Sequence, residues 1–181
     1  MKKLLILFVI IFIFILSCAS VKTYRDDLKG FTKYYTDDFV EWGAFLNIIL
    51  YDNALNKPVI VLYVRTQSIP DYINLKEVYF YDEKTRDYIS FKLDEAKNDL
   101  VYLKGYYTGY AYMPSQIFKI AKGIKLLNEK ELDVLYNFII NSKNTYIRFY
   151  GDFQTENPLP DAQRKNIIEL IEKYKKEIYS N

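Results

Sequence analysis

Histidine is absent from this 181-residue chain, and cysteine occurs once, at Cys18. Without histidine there is no Ser-His-Asp or Cys-His catalysis, and the usual zinc sites lose their nitrogen donor. A single cysteine closes no disulfide within the chain. Glycine is scarce, at six residues, and no cluster of it forms a dinucleotide fingerprint or a P-loop. There is no Gly-x-Ser-x-Gly elbow, and no serine has a lysine three positions on, so those acyl-transfer motifs are missing too. No cofactor is predicted. An excess of one charge is also lacking: 25 basic residues face 23 acidic ones. With Lys2 and Lys3 removed the balance is 23 against 23. A neutral domain has no drive toward nucleic acid, whose binding rests on neutralising phosphates.

What is present begins at the amino terminus. Lys2 and Lys3 precede an apolar run from Leu4 to Leu16, thirteen residues long. A bilayer-crossing helix needs about 20 mainly apolar residues, so the layout fits an export signal better than a permanent span. The run ends in Ile15-Leu16-Ser17-Cys18, which resembles the lipobox of bacterial lipoproteins. Ile15 stands where leucine is commonest, and Leu16 is bulkier than the usual small residue. The resemblance implies a diacylglyceryl group on the Cys18 thiol, cleavage between Ser17 and Cys18, and attachment to a membrane. Ala19 and Ser20 follow without an aspartate, which resembles the pattern of lipoproteins sent to the outer membrane where the host has two membranes. Two other readings of the same residues stand beside it: an uncleaved anchor reaching Val21, and a general cut after Ala19 that releases the chain.

Three segments are predicted: residues 1–17 as a signal, 18–38 as a lipid-anchored tether, and 39–181 as a single globular domain. As a free coil, about 20 residues would span on the order of 25 Å. The aromatics Tyr24, Phe31, Tyr34 and Tyr35 argue that the later half of this tether docks on the domain.

Beyond it, Ala44, Leu46, Ile48 and Leu50 alternate with Phe45, Asn47, Ile49 and Tyr51, as in a strand. Val59 to Thr66 is almost continuously apolar and β-branched, as in a strand buried on both faces. The short polar loop between them predicts a hairpin. Trp42, the single tryptophan, is expected to pack at the start of this core. A second hairpin is predicted from Glu77–Tyr81 and Tyr88–Leu93 around the polar turn 82–87. Asp94 to Asp99 reads as another turn, and Leu100 to Met113 as one long or two short strands. There Gly105 and Gly109 suggest a bulge or a close backbone approach.

The apolar spacing of Ile117, Ile120, Ala121 and Ile124 predicts a helix, with Lys119, Lys122 and Lys125 on its wet side. Asn128 with Glu131 forms a capping-box pattern, opening a helix whose inner face is Leu132, Leu135, Tyr136 and Ile139. Thr145 to Tyr150 reads as a strand, and Gly151 to Pro158 as a loop. Pro160 is placed to open a last amphipathic helix with Ile167, Leu170, Ile171, Tyr174 and Ile178 inward. The predicted fold class is α+β: an antiparallel sheet or sandwich of about 6–7 strands, with helices late in the chain and an amphipathic helix at the carboxyl end.

Carboxylate chemistry needs only two acidic side chains at a suitable separation, and Asp37, Asp38, Asp82, Glu83, Asp94, Glu95, Asp152 and Glu156 are candidates. All sit in polar turns, where acids are expected for solubility. On a regular strand Tyr106, Thr108, Tyr110 and Tyr112 would share one face, giving an aromatic platform for a glycan or another apolar ring. Packing against Tyr79, Tyr81 and Tyr88 would explain the same row without a ligand. The expected function is a lipid-anchored cell-envelope protein, a binding or structural module without enzymatic chemistry. A carboxylate-dependent hydrolase and a carrier of an apolar ligand are the alternatives.

Overall fold

The computed structural model describes residues 21–36, 42–53, 57–68, 74–107, 109–110 and 112–179. Ser17, Cys18 and the segment before them lie outside the described residues, as do Asp37 and Asp38. Twelve strands and two helices are described. The strands are β1 (Lys22–Asp26), β2 (Phe31–Tyr35), β3 (Gly43–Tyr51), β4 (Val59–Ser68), β5 (Glu77–Asp82) and β6 (Tyr88–Lys92). They continue as β7 (Glu95–Leu103), β8 (Tyr106–Tyr107), β9 (Tyr112–Met113), β10 (Gln116–Leu127), β11 (Thr145–Tyr150) and β12 (Gln154–Pro158). The helices are α1 (Glu129–Asn141) and α2 (Asp161–Tyr179).

A six-stranded sheet runs β1-β2-β3-β4-β10-β7, a four-stranded sheet runs β12-β11-β5-β6, and β8 pairs with β9 alone. Every ladder is antiparallel. The fold class is α+β, with both helices late in the chain. One contiguous core is drawn from both sheets and both helices. Leu46, Ile48, Leu62 and Val64 come from the large sheet, and Val78, Phe80, Ile147 and Phe149 from the small one. Leu132, Leu135, Ile139, Ile167, Leu170 and Ile171 come from the helices. Among the described residues no helix is long and apolar enough to cross a membrane.

Both hairpins form as the alternation requires, β3 with β4 and β5 with β6. The capping box is complete: Asn128 Oδ1 accepts from the Glu131 amide at 3.0 Å, and Glu131 Oε2 accepts from the Asn128 amide at 2.9 Å. Such a cap is worth about 1 kcal/mol. In α2 the stripe Ile167, Leu170, Ile171 and Tyr174 is buried. A contact invisible in any local pattern also fixes this helix. Gln163 is buried; its Nε2 donates to the Trp42 carbonyl at 2.9 Å, and its Oε1 accepts from the Ala44 amide at 3.2 Å. Gly43 lies between them at φ +130°, and any side chain there would overlap Gln163.

Four expectations are corrected. Residues 22–35 are no free coil: β1 and β2 form a hairpin that extends the sheet from β3. Lys173 of α2 holds it, donating to Thr23 Oγ1 at 2.9 Å and lying 4.8 Å from the centre of the Tyr34 ring. The helix expected over Ile117–Ile124 is the strand β10, paired on one side with β4 and on the other with β7. Its apolar residues satisfy both periods because the strand is buried on both faces: Ile120 on one, Ala121 and Leu127 on the other. Open ladder edges on β4 and β7 decide the matter, since a helix there would leave a row of backbone groups unpaired. The turn expected at 94–99 is the start of β7, which closes the β10 edge. The loop expected at 151–158 contains β12, an edge strand ending at Pro158, where a missing N–H is harmless.

Gly123 separates the helical from the extended reading of β10. Alanine in place of a helical glycine stabilises by about 1 kcal/mol. Here a Cβ would collide with Leu93 Cδ1 and stand 3.0 Å from Val64 Cγ2. Gly123→Ala is therefore expected to destabilise the protein by roughly 1–3 kcal/mol, read as a fall in the urea midpoint; a rise would contradict the strand.

Candidate functional site

The tyrosines expected to line one strand face are arranged differently. The chain reverses between β8 and β9, with Gly109 at φ +86° in the turn. Tyr106 pairs in register with Met113, and Tyr107 with Tyr112. The Tyr107 and Tyr112 rings lie 5.1 Å apart, and Tyr110 at the tip is fully exposed. Gly105 shows the expected close approach, since a Cβ there would fall 2.8 Å from the Met113 carbonyl. Tyr79, Tyr81 and Tyr88 are not partners of this hairpin; they belong to the four-stranded sheet.

That sheet carries its own aromatic face, which pattern reasoning missed because its rings come from distant segments. Register places Tyr81 between Tyr146 and Tyr88, and Arg148 beside Tyr79. Tyr81 and Tyr146 stack at 5.5 Å, and Tyr79 meets Tyr88 and Tyr150 at 6.0 and 6.4 Å. Arg148 lies 4.7 Å over the Tyr81 ring and pairs with Glu156 at 2.8 Å. Burial, then the Glu156 carboxylate, pushes the Tyr81 hydroxyl up; the hydrogen bond to Glu77 does so for Tyr79. Each ring already has a protein neighbour. This face reads as a packed cross-strand ladder.

A concave surface lies elsewhere, on the face of the six-stranded sheet opposite the shared core. Here β2, β3, β4, β10 and β7 line a cleft of about 480 Å³, inside the range of small-molecule sites, roughly 300–1,000 Å³. Register sets two adjacent rows across it. One is Phe45, Tyr63, Ile124 and Glu95; the next is Gly43, Arg65, Lys122 and Lys97. Phe45 is only 4% exposed, so the floor is apolar.

Like charges directly opposite one another on a sheet destabilise it, and Arg65, Lys122 and Lys97 stand in one row. A single carboxylate relieves part of this. Asp99 takes Lys122 at 2.6 Å and Lys97 at 3.1 Å, and these two lysines hold its carboxyl below the usual range. Among the described residues Arg65 has no such relief: its Nε is buried with no hydrogen-bond partner. The one signal in the sequence was Arg65 itself, a lone charge inside an apolar β-branched run. Lys122, assigned to the wet side of a helix, points instead into the cleft.

The acidic candidates build turns and edges. Asp82 is buried and accepts from Ser142 Oγ at 2.6 Å and from the Lys84 and Thr85 amides at 2.8 and 3.0 Å. Asp94 accepts from the Leu126 amide at 2.7 Å, Asp152 binds Asn74 and Lys76, and Glu156 pairs with Arg148. Asn74 holds Asp152 below the usual carboxylate range, helped by Lys76. Among the described residues no group of three acidic or sulfur ligands could hold a metal ion. Comparison with family models, curated proteins and solved structures finds no match to this chain.

Asp82 makes the stability of the fold depend on pH. The Ser142 hydroxyl, first, and the Thr85 and Lys84 amides hold its pKa down to about 2, from 3.8. A carboxyl depressed in the folded state stabilises above the unfolded pKa and loses that contribution as pH falls through the folded one. The thermal midpoint of Asp82→Ala is thus expected to lie below wild type at pH 6, with the gap closing between about pH 4 and pH 2. A gap that is constant across this window would remove the role assigned to the charge.

Proposed function

We propose that this chain is a lipid-anchored cell-envelope protein that works by binding, holding a small ligand in the cleft of its six-stranded sheet. The cleft carries this reading: it is concave, apolar-floored and edged by cations. Catalysis by paired carboxylates draws no comparable support. A glycosidase-type acid needs a raised pKa, whereas Asp82, Asp99 and Asp152 are all held low. The alternative of a carrier is absorbed here, with a charged rim that a carrier of purely apolar ligands would not need.

The anchor reading rests on the basic start, the short apolar run and Ile15-Leu16-Ser17-Cys18. Each acyl methylene buried in a bilayer contributes about 0.8 kcal/mol, and more than one chain makes attachment stable. By its resemblance to sorted lipoproteins, the outer membrane is the proposed site in a host with two membranes.

Intact mass of protein isolated from its own membrane tests the anchor. The expected species starts at Cys18 and carries diacylglyceryl and acyl mass, while Cys18→Ser yields none of that mass and leaves the membrane fraction or stays as precursor. An unmodified chain starting at Met1 would refute lipidation. Native mass of the same preparation is expected to show a co-released small molecule, which tests the binding reading separately.

A further inference from the structure

The arrangement around Arg65 specifies more than a generic cleft. Across β3 its register partner is Gly43, which offers no side chain; across β10 it is Lys122, a second cation. Among the described residues no carboxylate pairs with Arg65, and an unsatisfied buried polar group costs about 1–3 kcal/mol. A chain selected for stability alone would place an apolar residue there.

We propose that Arg65 receives the head group of a carboxylate-bearing amphiphile whose apolar body lies on Phe45, Tyr63 and Ile124. This rests on the binding reading above and narrows it to one ligand class. Charge counting favours an anionic head group. On β4, β10 and β7 the cleft presents Arg65, Lys122 and Lys97 against Glu95, with Asp99 bonded to both lysines; with Lys33 counted, the positive charges outnumber these carboxylates by two. Lys33, the remaining cation of the lining, sits on β2 with its Nζ 5.0 Å from the centre of the Tyr35 ring.

Geometry agrees with the charge. The planar guanidinium matches a carboxylate with two parallel hydrogen bonds. Tyr63 and Ile124 are one row away from Arg65 and Lys122 on the same sheet face. Head and body sites are therefore adjacent along the strands, about 7 Å apart at two residues of rise. Lys122 and Lys97 hold the field positive while Asp99 keeps them in place. The ligand lies across the strands' outer face, head toward Arg65.

The test uses the full chain in nanodiscs of zwitterionic lipid, titrated calorimetrically, with empty nanodiscs as the blank for partitioning. Octanoate is expected to saturate one site, and uncharged 1-octanol to bind at least tenfold more weakly. Arg65→Met is expected to weaken octanoate at least tenfold, leave 1-octanol unchanged, and keep or raise the thermal midpoint, because it removes an unpaired group. Arg65→Lys is expected to retain part of the octanoate affinity, having charge without the fork.

Octanoate binding no tighter than 1-octanol overturns the carboxylate assignment, and so does tighter binding of octyl phosphate or octylammonium. Unchanged octanoate affinity in Arg65→Met, or loss of folding in that variant, overturns the role of Arg65. A co-released neutral molecule together with 1-octanol binding would sink this inference while leaving the binding reading intact. No binding of any probe and no co-released mass would sink both.

Discussion

The pairing of β10 between β4 and β7 is the constraint on which the rest of the molecule depends. It satisfies nine residues of register with each neighbour and joins the amino-terminal strands to β7. Its inner face completes the core with Ala121 and Leu127, beside α1, which follows directly. Its outer face carries Ile124 and Lys122 to the cleft. Were residues 116–127 helical, as their apolar spacing allows, both sheet edges would be open and no cleft would exist.

Around that ladder the chain uses its late helices as cover. Lys175 ties them together, bonding Asp133 at 2.6 Å and lying 4.4 Å over the Tyr136 ring, whose hydroxyl donates to Glu172 at 3.0 Å. Lys175, late in α2, thus serves a helix–helix contact. Small exposed ion pairs such as Lys165–Glu169 at 3.8 Å add little by comparison. The order of importance is pairing first, then apolar burial, then charge.

Local signals were reliable where one element decides its own fate. The alternation in β3 and β4, the β5–β6 turn, the Asn128–Glu131 box and the stripe of α2 were all legible because their partners are near in sequence or their patterns admit one period. β10 was misread because a strand buried on both faces and a helix stripe share the positions 117, 120, 121 and 124. Gly123 was the available correction, being costly inside a helix. β1, β2 and β7 are polar enough to resemble coil, and their strand state comes from the edges they cover. The cleft was illegible for a similar reason. Phe45, Arg65, Lys97 and Lys122 meet only through the register of four strands, and nothing local sets that register.

The clasp between Gln163 and the start of β3 has a consequence for how the chain is made. It links positions 43 and 163, and Lys173 reaches back to Thr23 across almost the whole sequence. Contacts of such long separation are slow to form, because chain entropy is lost before they reward it. Strands β2 and β3 have part of their cover supplied by α2, which is synthesised well after them. Until that helix forms, the inner face of β2 and β3, with Tyr34, Ala44, Leu46 and Ile48, lacks part of its cover. Completion of the fold is therefore an event of the whole chain, and its amino-terminal half depends on being kept from other strands while it waits.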